Sequence, residues 1–185
     1  MKPMVVFDFE TTGLSPDEGA RVTEVAAVIV QDGKILSRYQ SLMNAGVHVP
    51  AFITDLTGIS NAMVQSAPSS KEVMRELCDF VGPLQIVAHN ASFDKKFYEH
   101  ECRLSGRQLP KHFACSMLVA RRLFPNSPNH KLGTLVNVLG ISHSGQFHRA
   151  RSDAEMTAGL LLKIFERLEA DYNISHPTHE ILMRL

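Results

Sequence analysis

The stretch MVVFDFETTGL, residues 4–14, decides how the rest of the chain is read. Its first part, MVVFDF at 4–9, is a short apolar run rich in β-formers, ended by Thr-Thr-Gly and by a loop containing Pro16 and Gly19. It reads as a buried strand. Asp8 and Glu10 stand two positions apart near its end. Their side chains therefore leave on one face, with Cα atoms roughly 6–7 Å apart at a rise of about 3.3 Å per residue. Many DxE pairs sit on solvated strand ends, but the apolar flank here places both acids in a partly desolvated cleft, where like charges are costly unless a cation neutralises them. Hard oxygen ligands suit Mg²⁺ or Mn²⁺, which share their coordination with water and with substrate phosphate.

Working outward, VTEVAAVIV at 22–30 and KILSRYQSLM at 34–43 flank Asp32-Gly33, a hairpin signal, so three antiparallel strands are expected. Ser69 and Glu72 form a capping-box pattern, with Val73, Leu77, Phe80 and Val81 at helical spacing and a stop at Gly82-Pro83. QIVA at 85–88 predicts a short buried strand and 91–104 a helix, with further helices over 118–124 and 132–140. In the final helix Ala154, Ala158, Leu161, Phe165 and Leu168 form one stripe. Strands followed by mixed strand and helix give an α/β or α+β domain. We place a single domain at 1–175 and a tail at 176–185, with Ile181 and Leu182 as exposed apolar residues that permit a dimer.

The 185 residues are 44% hydrophobic, enough for one core. Lys plus Arg equals Asp plus Glu at 19 each, so no global field draws in phosphate or an anionic membrane, although a local positive site or bound metal would serve. Cys78, Cys102 and Cys115 are odd in number and lack a CxxC pattern, which disfavours a disulfide framework or a cysteine zinc site and fits a reducing, cytoplasmic setting. No stretch approaches the roughly 18 apolar residues of a membrane span. His176 and His179 have HxxH spacing but lie beside Pro177, and we expect no metal there.

Two more acids have distinctive surroundings: Asp94 in AHNASFDKKF and Asp153 in HRARSDAEMT. Taken singly, Asp94 could pair with Lys95 or Lys96 on a helix surface, and Asp153 could simply favour the positive end of the last helix. Taken together, FDFETTGL, HNASFD and the spacing of His148 before Asp153 resemble the DEDDh 3′–5′ exonucleases, the family that includes the proofreading epsilon subunit of bacterial replicative polymerase. The likeness runs from residue 4 to about residue 170 and takes in ITDLTGIS, LFPNSPNHKLGTL and DAEMTAGLLL. Another subtype has tyrosine four residues before the last aspartate, where this chain has Arg149, so the histidine subtype is indicated.

The resemblance implies a ribonuclease H-like fold: a mixed sheet of about five strands, the first three antiparallel, flanked by helices. It also implies two divalent ions, Mg²⁺ or Mn²⁺. Asp8, Glu10 and Asp153 would hold one, and Asp8 with Asp94, acting through water, the other. His148 would be the general base. Thr11, Thr12, Gly13 and Leu14 would hold the terminal nucleotide, with Asn90 and Phe93 at the sugar or base; Phe93 could equally belong to the core. Arg149 and Arg151 receive no role. The implied reaction releases nucleoside 5′-monophosphates from a 3′ end, from single-stranded DNA by preference. The alternatives are an RNA-trimming enzyme and a catalytically silent module that binds nucleic acid or a polymerase. A DNA polymerase is an implied partner, although epsilon subunits continue into a polymerase-binding segment and this sequence stops at Leu185.

Overall fold

A computed structural model describes residues 2–107, 111–142 and 148–185. β1 (Met4–Thr11), β2 (Val22–Gln31), β3 (Lys34–Leu42), β4 (Ile86–Ala88) and β5 (Phe113–Cys115) form one sheet in the order β3-β2-β1-β4-β5. β1, β2 and β3 pair antiparallel, whereas β4 and β5 run parallel to β1, as the ribonuclease H-like fold requires. The β2–β3 hairpin turns on Asp32 (φ 46°) and Gly33 (φ 77°). Both have left-handed backbones, the geometry for which Asp-Gly is favoured in a two-residue turn.

Strand alternation sorts the core into two layers. Val5, Phe7 and Phe9 of β1, with Val25 and Ala27 of β2, face α3 (Ser70–Val81) and α4 (Ala91–Leu104). Met4, Val6, Val28 and Val30 face the opposite way, toward α5 (Ser116–Leu123), α6 (Leu132–Val138), α7 (Ala150–Tyr172) and α8 (His179–Arg184). The capping box of α3 is complete: the Ser69 hydroxyl accepts from the Glu72 N–H and the Glu72 carboxylate accepts from the Ser69 N–H. Two short helices, α1 (Ala51–Thr57) and α2 (Asn61–Gln65), pack on their own small cluster of Val49, Ile53, Ile59 and Val64.

Residues 176–185, expected as a tail, contain α8. Leu182, expected to be exposed, is buried against the second layer. His179 is also buried, with Nε2 2.9 Å from the Ile86 carbonyl oxygen, so the ring N–H donates there and the histidine docks the terminal helix on the sheet. Among the described residues no helix is long and apolar enough to cross a membrane.

Candidate nuclease site

The acids gather where β1 outruns its parallel neighbour. Register pairing sets Asp8 opposite Ala26 and Glu10 opposite Glu24, so the side chains of these four residues share one sheet face, the face covered by α7. Ala26 touches Ala150 and Ala154, and these three small side chains let the first turn of α7 approach the sheet closely. That approach delivers Asp153: carboxylate oxygens of Asp8, Glu10 and Asp153 all lie within 4.8 Å of one another.

Asp94 arrives from the opposite layer. Parallel pairing holds Val6 against Val87, and β4 ends at Ala88. Asn90 then turns the chain with a left-handed backbone (φ 66°) into α4, whose first turn carries Asp94. The freed N–H of Phe9 donates to Asp94 Oδ1 at 3.1 Å. Asp94 therefore closes the end of the ladder, buried, and among the charged groups its carboxylate bears most strongly on Asp8.

Crowding shows in the proton affinities. Burial, followed by the charges of Asp94, Glu10, Asp153 and Glu24, raises the Asp8 carboxyl well above its ordinary range. Burial and the neighbouring acids push Glu10 up to about 8, and burial pushes Asp94 to about 8 against the pull of the Phe9 N–H. Asp153 is also raised, again chiefly by burial. Its Oδ2 accepts the His148 N–H at 3.0 Å, while its buried Oδ1 has no hydrogen-bond partner among the described residues. Converging oxygens, one of them buried without a donor, fit hard divalent cations, which would remove the mutual repulsion.

His148 lies at the exposed rim with a left-handed backbone (φ 62°), five residues before Asp153 and tied to it by that main-chain bond. On the other side, the expected nucleotide loop is held by its own threonines. The Thr11 hydroxyl donates to the Gly13 carbonyl, and Thr12 exchanges bonds with Arg21 through its N–H and hydroxyl. Arg21 in turn grips buried Glu101 of α4 at 2.7 and 2.8 Å. A β-carbon on Gly13 would come within 3.2 Å of Ala20, so glycine lets this turn close tightly. The braced loop presents Leu14, 77% exposed. Asn90 is exposed, whereas half-buried Phe93 packs on Phe97 with ring centroids 5.1 Å apart and belongs in part to the core.

Two residues given no site role in the sequence, Glu24 and Arg149, stand beside the acids, and a third, His89, lies just past the end of β4. Glu24 is fully buried and engages Arg149 through two hydrogen bonds. Burial alone would raise its carboxyl, yet the bonds from Arg149 and Gln40 hold it below the ordinary value. A lone glutamate inside VTEVAAVIV, in step with Ala26, Val28 and Val30, was the available signal, because an unpaired charge at such a position is not tolerated. His89 follows β4 and links Ser116 (Nδ1 to Oγ, 3.0 Å) with the His130 carbonyl (Nε2 to O, 2.9 Å), and burial lowers its proton affinity to about 4.

Comparison with known proteins agrees with this geometry. The exonuclease family model (RNase_T) matches residues 5–161. The 3′–5′ exonuclease DinG of Bacillus subtilis is 38% identical over 185 residues, covering 98% of this chain but 19% of that protein. DNA polymerase III subunit epsilon of Aquifex aeolicus is 34% identical over 171 residues, covering 92% of this chain and 84% of that one. Relatives of the PolC type are matched over only 11–12% of their length, so the chain spans a small part of several of its relatives. Exonuclease X, solved with 5′ overhanging duplex DNA, superposes with a TM-score of 0.78 at 26% identity, covering 98% of both chains. The nuclease domain of 3′hExo, a DEDDh member, shares the fold (TM-score 0.76, 20% identity, covering 89% of this chain and 92% of that one). The chain belongs to the exonuclease (RNase_T) family.

Proposed function

We propose that this protein removes nucleotides from the 3′ end of single-stranded DNA in a reaction dependent on divalent metal, releasing nucleoside 5′-monophosphates. Asp8, Glu10, Asp94 and Asp153 are the metal-holding acids and His148 is the general base. The observation that carries this reading is the convergence of the Asp8, Glu10 and Asp153 oxygens from two remote parts of the chain, with Asp94 against them from a third. Mg²⁺ or Mn²⁺ held by these acids supplies charge neutralisation and a lowered water pKa at a phosphodiester. Asp8, central to the group, would be common to both cation sites, and Glu10 and Asp153 would hold one cation with it. Asp94 supports the second site from the α4 side.

His148, exposed at the rim beside Asp153, takes the proton of the attacking water, a task for which an imidazole nitrogen is suited. Leu14, held out by the Thr11–Thr12 turn, packs against the terminal base, and Asn90 and Phe93 contact the sugar and base edge. Relatives named as polymerase subunits, together with the DNA carried by Exonuclease X, favour DNA over RNA and make proofreading beside a polymerase the natural setting.

The test is stepwise shortening of matched 5′-labelled DNA and RNA oligomers with Mg²⁺ or Mn²⁺. DNA should shorten from the 3′ end and EDTA should stop the reaction. Cleavage that survives chelation would overturn the metal mechanism, and faster loss of the RNA would reassign the substrate.

A further inference from the structure

Glu24 and Arg149 come from opposite ends of the chain yet form the most densely bonded charge pair beside the acids. The Glu24 carboxylate accepts four hydrogen bonds: Gln40 Nε2 at 2.9 Å and Arg149 Nη2 at 2.8 Å on Oε1, then Arg149 Nε at 3.1 Å and the Ala150 N–H at 3.1 Å on Oε2. Such saturation leaves it no ordinary lone pair for a cation, although it stands directly across the β1–β2 ladder from Glu10. Its last bond is the telling one. α7 starts with Arg149 as its N-cap residue, and the Arg149 side chain makes no capping bond to its own helix. The first-turn N–H of Ala150 is instead capped by Glu24, a residue of β2.

This clamp fixes the register of a short, functionally loaded segment. His148 precedes Arg149, and the His148 N–H reaches forward to Asp153 Oδ2 while the Asp153 N–H donates to the Arg149 carbonyl. The placement of both His148 and Asp153 therefore passes through Arg149 and Ala150. A bidentate guanidinium–carboxylate fork constrains orientation as well as distance, which a single-point contact does not.

Building on the proposed metal-dependent reading, we infer that Arg149 and Glu24 are positioning residues for the cation site: their clamp holds the start of α7 so that Asp153 and His148 meet Asp8 and Glu10. Arg149 does this without touching substrate. Its side chain is spent on Glu24, so the position that carries tyrosine in the other branch of the family serves here as a brace.

Mn²⁺ binding, measured by titration calorimetry on the full chain without nucleic acid, tests this alongside turnover on a single-stranded DNA oligomer. Arg149→Met should weaken Mn²⁺ binding about 10- to 100-fold, the usual cost of losing an outer partner of a metal ligand. It should lower kcat while leaving KM for the oligomer within about twofold, and Arg149→Lys should recover only part of the loss. Glu24→Gln/Arg149→Met, which leaves no unpaired buried charge, should fold even where Arg149→Met does not, and should still bind Mn²⁺ weakly. Wild-type Mn²⁺ affinity in the double variant would overturn the clamp, and a rise confined to KM would make Arg149 a substrate contact instead. Absence of Mn²⁺ uptake by the unaltered protein would overturn the metal-dependent reading itself, and the clamp with it.

Discussion

The two faces of β1 are built for opposite ends. Val5, Phe7 and Phe9 are apolar throughout and meet aromatic partners: Phe7 lies edge-on to Phe9, Tyr98 and Phe113 at centroid distances of 4.4, 6.0 and 5.9 Å. The other face opens with Met4 and Val6 and closes with Asp8 and Glu10, so hydrophobic packing turns into charge repulsion within one strand. One face supplies the stability that the other gives up, and the change falls where β4 has ended and no longer covers β1.

Neighbouring residues separate the two roles most sharply. Asp8→Asn should abolish degradation of the DNA oligomer, yet raise the thermal midpoint of the metal-free protein, because it removes a carboxylate whose ionised form the fold disfavours. Phe7→Ala, one position away, should cost about 3–5 kcal/mol in denaturant unfolding through loss of a fully buried ring, while the folded fraction keeps its metal-dependent activity. Residual turnover in Asp8→Asn, or a lowered midpoint, would break the contrast.

The rim gives the next effect. His148→Ala should lower kcat about 100-fold, the usual worth of a general base, with an unchanged thermal midpoint because the residue is exposed. Unchanged turnover would assign the base to another group.

Much of this division was legible in the residues. The Asp32-Gly33 turn, the Ser69–Glu72 box and the stripe of α7 appear where local chemistry calls for them, because each signal acts within a few residues. β5 escaped notice: three residues, Phe113–Cys115, carry no periodicity and become a strand only by pairing with β4. α8 was missed for a related reason, since its docking depends on His179 finding a carbonyl 93 residues earlier in the chain. The four acids could be named from motif resemblance, and the physical argument reached Asp8 and Glu10 unaided. Glu24 and Arg149 could not be paired, because a separation of 125 positions hides a contact that only the placement of β2 against α7 creates.

The smallest expected effect concerns pH. Glu10 and Asp94, raised to about 8, hold protons in the folded chain that the unfolded chain releases near pH 4, so their contribution to stability falls as pH rises toward 8. His89, lowered to about 4, works the other way: the unfolded chain binds its proton below about pH 6.5, so this contribution grows as pH rises from 4 to 6.5 and is then constant. The two trends oppose each other below pH 6.5, and the acids alone govern the interval from 6.5 to 8. Metal-free protein should therefore lose a few degrees of thermal midpoint across that interval, on the order of 1–2 kcal/mol once solvent screening of the partly open Glu10 is allowed for. Mg²⁺ or Mn²⁺, which need the deprotonated acids, should restore more at pH 8 than at pH 6.5. A midpoint that is flat in pH without metal would mean that the acids are not crowded, and with that the difference between the two faces of β1 would reduce to one of polarity alone.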